Sequence, residues 1–324
     1  MNDNNEAKVI KKLMKKDFNK LGITLLMQEL IANGVIFVVG ISIMIMQMIK
    51  NPNVSEDQLK QIFEQPSFNG TMSIIAVVIA FIPILIYRQK KFFQYDLKVV
   101  NRKFTVKTVI IGFVILFSLN STIGLFANVL ELGLNEIGLS AISALKELEV
   151  LNQPTISMIV YTCIIAPIFE EFIYRGAILR SLEKYGRKFA ILVSAILFGL
   201  MHGNFYQIFM AAGIGIMLGY LATEYSIRLT ILLHMCNNTF VELLSEITTH
   251  VSGNVGNIID LCIMVISVII LIIALILNKN HIKEWLQNNK MEKRIMLRFL
   301  TSITVIIIIA IDLFMVLSGI KTVL

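Results

Sequence analysis

The chain has 324 residues, of which 56% are hydrophobic and only 16% are charged, and its mean hydropathy is +0.77. Soluble domains carry about 25% charged residues, because charge solvates their surface, so this composition excludes a soluble globular protein. The net charge of +7 does not indicate a nucleic-acid partner, because the basic residues cluster between apolar blocks, where they mark the sides of a membrane. We therefore expect an all-α, polytopic transmembrane helix bundle whose first partner is the lipid bilayer.

Apolar blocks of about 20 residues, the length that crosses a bilayer as a helix, recur along the whole chain. The sequence predicts eight or nine spans, because the fifth block is short and only a tight turn at Gly203 and Asn204 separates it from the sixth. The nine candidates are residues 22–49, 71–88, 107–130, 154–180, 188–202, 205–223, 228–246, 254–278 and 299–320.

Basic residues are concentrated in alternate connecting segments. The N-terminal segment and the segments that follow spans two, four and eight are rich in lysine and arginine. The intervening segments carry few basic residues, which are Lys50, Lys60 and Lys146. Because cytoplasmic loops carry the excess of lysine and arginine, the pattern predicts a cytoplasmic N-terminus and, with nine spans, a C-terminus on the opposite side.

Composition also suggests a division into three parts. Residues 1–150 hold about three spans, followed by the segment 131–153, in which leucine, isoleucine and glutamate are interleaved as in an amphipathic interfacial segment. Residues 154–246 hold polar motifs that are unusual in a membrane, and residues 254–324 hold the C-terminal spans. We expect the middle part to be the functional core.

The fourth span contains two adjacent carboxylates, Glu170 and Glu171, just after Pro167. Each charged side chain near the bilayer centre costs about 2.5–3.5 kcal/mol on insertion scales, so both need compensation. Glu171 and Arg175 are four residues apart and therefore share a helix face on which they can pair. Glu170 points about 100° away and needs a wet cavity or polar groups from other helices, which a helix interrupted by Pro167 can provide.

Two further spans carry polar groups that lipid would not tolerate. The fifth ends with Phe198 and His202, and the seventh contains His234 and Asn238, each pair four residues apart on one helix face. If these faces turn inward, a carboxylate, two imidazoles and a carboxamide meet in one site. A desolvated Glu170 is suited to act with His202 as a general base on water, and His234 with Asn238 could donate hydrogen bonds to an oxyanion.

These motifs carry a resemblance to a known family. Glu170-Glu171-x-x-x-Arg175, Phe198-x-x-x-His202 and His234-x-x-x-Asn238 resemble the motifs of the CPBP family (also called the Abi-type family) of CaaX-processing and bacteriocin-processing intramembrane glutamic proteases. The resemblance covers residues 154–246. It implies that Glu170 and His202 activate the water, that His234 and Asn238 form the oxyanion site, and that Glu171 and Arg175 position Glu170.

The resemblance also implies a location and a substrate class. The chain would be a multi-pass protein of a bacterial cell membrane that cleaves a peptide or a membrane-anchored protein. A prenylated C-terminal motif and a leader peptide or bacteriocin precursor are the two substrates that the family suggests. We expect no metal and no other cofactor, because the chain has no H-E-x-x-H motif.

Other interpretations of the same residues remain open. Glu171 and Arg175 can be a purely structural ion pair, Asn238 can join helices by a hydrogen bond, and Glu170, His202 and His234 contain the donor types of a two-histidine, one-carboxylate metal site. At the level of the whole chain, the alternatives are a non-proteolytic membrane scaffold or bacteriocin-immunity protein and, less favoured, a transporter. A transporter would usually show paired halves, and the sequence has only one polar centre.

Overall fold

A computed structural model describes residues 2–142, 154–251 and 253–322 of the chain. These residues form an all-α, polytopic membrane bundle. Residues 143–153 of the predicted interfacial segment 131–153 lie outside the described residues, and its first residues, up to Glu136, complete a long helix instead.

The bundle has eleven helices in the described part of the chain. Two of them contain irregular turns, and each of these two is counted as one helix. The helices are α1 (Asn2–Lys50), α2 (Glu56–Phe63), α3 (Pro66–Arg88), α4 (Val106–Glu136), α5 (Ile156–Tyr185), α6 (Arg187–Leu200), α7 (Phe205–Glu224), α8 (Ile227–His250), α9 (Gly253–Asn288), α10 (Ile295–Leu300) and α11 (Ile303–Ser318). A π-helical turn (Phe92–Asp96) follows α3, and two short strands, β1 (Leu139–Ser140) and β2 (Lys321–Thr322), pair antiparallel.

Each of the nine predicted spans corresponds to one of these helices. Among the described residues, six helices are long and apolar enough to cross a membrane, namely α1, α3, α4, α5, α7 and α9. With 14 and 16 residues, α6 and α11 are shorter than the roughly 20 residues that a full span needs. The helix prediction is confirmed, and the crossing of the bilayer by α6, α8 and α11 stays a prediction.

The turn between α6 and α7 is as tight as the sequence predicts. Gly203 has a φ of +59°, a left-handed conformation that costs glycine little. The Asn204 side chain accepts hydrogen bonds from the backbone N–H groups of Tyr206 and Gln207 and so caps α7. This turn places His202 at the end of α6, between two closely packed helices.

Helix α5 is the most irregular element of the bundle. It runs as α-helix over Ile156–Val160 and Ala166–Glu171 and as π-helix over Tyr161–Ile165 and Phe172–Ile178. Pro167 lies just after the first π segment and lacks the N–H that a regular turn would use. Single π turns inside α-helices occur frequently at functional sites.

Close packing holds α5, α6 and α7 together. A β-carbon at Gly199 of α6 would lie 2.6 Å from the carbonyl oxygen of Ile208 in α7, so only glycine permits this approach. Helices from all three parts of the chain also contact one another, since α1 packs on α3 and α11, and α4 packs on α7 and α9. The division at residues 150 and 254 stays a prediction.

Candidate active site

The predicted ion pair on α5 is present and completely buried. Nη1 of Arg175 lies 3.1 Å from Oε1 of Glu171, and neither side chain is exposed. The Arg175 guanidinium also lies over the Phe198 ring of α6, with its central carbon 4.3 Å from the ring centre. A guanidinium on an aromatic face is attracted by the ring electrons, so the pair fixes α5 against α6.

His234 of α8 lies between the two glutamates of α5. Its Nδ1 is 3.1 Å from Oε1 of Glu171, and its Nε2 is 3.7 Å from Oε2 of Glu170. A Glu171 carboxylate paired with Arg175 can only accept, so the proton between Glu171 and His234 belongs to Nδ1. The Nε2 distance exceeds a hydrogen bond, and this nitrogen faces Glu170 without being bonded to it.

Glu170 and His202 line the same cavity. The cavity has a volume of about 680 Å³ and lies among α1, α3, α5, α6 and α11. Nδ1 of His202 is 2.8 Å from the carbonyl oxygen of Phe198, and since a carbonyl can only accept, Nδ1 carries the proton. In the neutral ring, Nε2 of His202 is then a free acceptor, as a general base requires.

Asn238 lies one helical turn beyond His234 but has a different partner. Its amide nitrogen donates to the carbonyl oxygen of Thr162, at 3.1 Å, in the first π segment of α5. Neither His234 nor Asn238 is among the residues that line the cavity. The structure therefore brings Glu170, His202 and His234 together, and it places Asn238 where it joins α8 to α5.

Several polar residues of this cavity were not predicted from the sequence. Among them, Glu29 of α1, Asp312 of α11 and two tyrosines of α5, Tyr161 and Tyr174, line it together with Glu170. Glu29 and Asp312 both lie within predicted spans, where a carboxylate is a candidate for a functional position. The presence of these carboxylates in apolar spans could have been noticed in the sequence. The sequence does not show that Glu29 and Asp312, from opposite ends of the chain, line the same cavity.

The geometry of the site also bears on the two-histidine, one-carboxylate metal site that the sequence leaves open. Among the described residues, no group of three histidine, cysteine, aspartate or glutamate side chains is arranged to hold a metal ion. Glu170, His202 and His234 therefore do not form an assembled ligand set in this arrangement.

Comparison with known proteins places the motif helices in a family. Residues 152–240, which include all seven motif residues, match the Rce1-like family, described as type II CAAX prenyl endopeptidase Rce1-like. Over 86 residues the chain is 35% identical to a Bacillus subtilis (strain 168) protein named "Putative membrane peptidase YdiL". This match covers 26% of the chain and 35% of the relative, so it spans little more than a third of that relative's length. No solved structure matches the chain. The predicted resemblance is confirmed over residues 152–240, which are similar to CAAX-type membrane proteases.

Proposed function

We propose that this protein is an intramembrane endopeptidase that hydrolyses a peptide bond with a water activated by Glu170 and His202. The observation that carries this proposal is that both side chains line one cavity inside the bundle, while His234 contacts Glu170 from the other side. The similarity of residues 152–240 to a protease family supports the same reaction class. No serine or cysteine nucleophile is needed.

In the proposed first step, Glu170 and the free Nε2 of His202 orient the water. Its oxygen bonds to the carbonyl carbon of the substrate while its proton passes to Glu170. The protonated carboxyl group then gives this proton to the leaving nitrogen as the carbon–nitrogen bond breaks. A positioned acid and base contribute about 10²–10⁴-fold to such a step.

The oxyanion of the intermediate needs donors that are already in place. With Nδ1–H donated to Glu171, a second proton on Nε2 makes His234 a donor directed at Glu170, and because His234 does not line the cavity, it would have to approach the substrate when the peptide binds. Asn238 is the second proposed donor. Its amide would have to leave the Thr162 carbonyl, so its contribution requires a small movement of α5 or α8 when substrate binds.

Glu171 and Arg175 have a positioning role in this proposal. They fix the direction of His234 and the rotation of α5, and so they fix Glu170, although neither needs to touch the substrate. The substrate is a peptide or a membrane-anchored protein, either with a prenylated C-terminal motif or with a leader segment. The basic connecting segments support a cytoplasmic N-terminus, and the similarity to the Bacillus subtilis relative supports a bacterial cell membrane as the location.

The test uses purified full-length protein in lipid nanodiscs and a mixture of membrane-derived peptides analysed by mass spectrometry. We expect wild type to produce defined cleavage products, and Glu170→Ala and His202→Ala to lower the rate by about 10²-fold or more. His250→Ala is the matched control, because His250 is exposed at the end of α8 and bonds only to the Glu246 of its own helix. A chelator should leave the rate unchanged.

Equal cleavage by wild type, Glu170→Ala and His202→Ala would contradict the proposal. A cellular phenotype that survives Glu170→Gln would favour the non-proteolytic scaffold or immunity protein instead. Loss of activity with a chelator, restored by zinc, would favour the metal-dependent alternative.

A further inference from the structure

A second pair of acidic residues lies in the cavity that contains Glu170 and His202. Glu29 belongs to α1 and Asp312 to α11, so both lie outside the segment 152–240 that matches the family. Asp312 is only 6% exposed. The two side chains line one cavity, at which α1, the first long helix of the described chain, packs on α11, the last.

Carboxyl groups outnumber basic side chains in the lining of this cavity. Glu29, Asp312 and Glu170 all line it, whereas Lys321, which follows α11, is the one lysine or arginine among the described lining residues. Carboxylates inside a membrane protein are costly unless a cation compensates them, so a cation that enters the cavity would lower that cost.

A purely structural role does not account for the acids. Amide side chains would join α1 to α11 by a hydrogen bond as well, and they would do so without a buried charge. Asn19 and Thr304 already link the same two helices through a backbone N–H and a hydroxyl that both contact the Asn19 side chain. The helices therefore do not depend on Glu29 and Asp312 to stay together.

The pair and Glu170 line the same cavity, so one bound peptide can contact both. Tyr174 of α5 also lines this cavity. A volume of about 680 Å³ falls in the range of pockets that enclose a ligand of several hundred daltons. A peptide whose scissile bond lies at Glu170 would place a neighbouring side chain at the pair.

We propose that Glu29 and Asp312 determine substrate specificity by binding a basic side chain, lysine or arginine, next to the scissile bond. This inference rests on the proposed peptidase function, since it assumes that a peptide enters the cavity. The basic side chain would bring a positive charge to the two carboxyl groups, and its aliphatic stem would contact the apolar part of the wall.

Binding tests this inference separately from cleavage. Full-length protein carrying Glu170→Gln, which cannot turn over substrate under the proposed mechanism, is held in nanodiscs and mixed with apolar peptides. Each peptide is present in two forms that differ only by lysine or methionine at one position. We expect the lysine forms to be retained about tenfold better, as for a hydrogen bond to a charged group. Adding Asp312→Asn and Glu29→Gln should reduce the ratio to near one.

The matched control is Asp260→Asn, which removes a carboxylate from α9 that does not line the cavity, and it should preserve the preference. If the double replacement fails to fold, Asp312→Asn alone is used, because its amide can still bond to Glu29. Equal retention of both peptide forms by the parent protein, or an unchanged ratio in the Asp312→Asn protein, would overturn the inference. Absence of cleavage by wild type in the separate peptide assay would contradict the peptidase proposal without altering the binding result.

Discussion

Helices α5 and α9 are both long and apolar enough to span a membrane, and yet they are built differently. Helix α5 changes between α and π geometry and buries Glu171, Arg175 and Arg180. Helix α9 is continuous over 36 residues, and in it only Gly256 and Ser267 are buried. A helix that faces lipid can be regular and apolar because its backbone bonds are satisfied internally.

The irregular helix is the one that carries the chemistry. Glu171 and Arg175 are enclosed while Glu170, one residue earlier, reaches the cavity, and the α turn that holds both glutamates lies between the two π segments. Asn238 then bonds a carbonyl within the first π segment. Polar residues and irregular turns occur together in α5 because each gives the other a partner that lipid cannot provide.

The largest effect should follow from breaking the buried ion pair of α5. Arg175→Met leaves Glu171 buried with His234 as its remaining partner, and removal of one partner of a buried pair costs about 3–5 kcal/mol. We expect a strongly lowered thermal unfolding temperature in detergent micelles. Lys279→Met in α9, which removes an exposed cation, should leave that temperature nearly unchanged. If both replacements lowered the unfolding temperature equally, the burial of charged side chains would not distinguish α5 from α9.

A medium effect is expected where α6 crosses α7 beside the site. Gly199→Ala puts a methyl group 2.6 Å from a backbone oxygen, and overpacking of this kind costs about 1–3 kcal/mol. Gly253→Ala at the start of α9 is the control, since no atom lies within 4 Å of the new carbon. The thermal unfolding temperatures of the two variants are compared with that of wild type. A Gly199→Ala protein as stable as wild type would contradict the close packing of α6 on α7.

The smallest effect is expected on the lipid-facing side of α9. Leu277 is 78% exposed, so Leu277→Ala removes few protein contacts and should change stability by no more than about 0.5 kcal/mol. The same thermal measurement in micelles checks this value. A loss of several kcal/mol would mean that α9 is covered by another protein surface rather than by lipid.

Much of this architecture can be predicted from the sequence, because apolar length and polar interruptions are local properties. All nine apolar blocks form helices, and the turn at Gly203 and the pairing of Glu171 with Arg175 follow from spacing alone. Helix ends are less predictable. Helix α1 extends back to Asn2 through a lysine-rich stretch, since polar residues also form helices in water and only apolar residues mark the membrane.

The shape of the site depends on information that spacing does not contain. A proline predicts an interruption in α5, but not two π segments or the side chain that each one redirects. The sequence predicts Asn238 as a donor to the oxyanion, whereas the structure gives its amide a backbone partner. The meeting of Glu29 with Asp312 depends on the packing of α1 against α11, which no local pattern encodes.

The contact between α1 and α11 has a consequence for how the protein is made. Ribosomes synthesise a chain from its N-terminus onwards, so all the motif residues enter the membrane before Asp312 is synthesised. Until α11 inserts beside α1, one wall of the cavity is missing and Glu170 faces lipid or water on that side. We therefore expect the nascent protein to be inactive until its last long helix is in place, which would protect the translocation machinery from premature proteolysis.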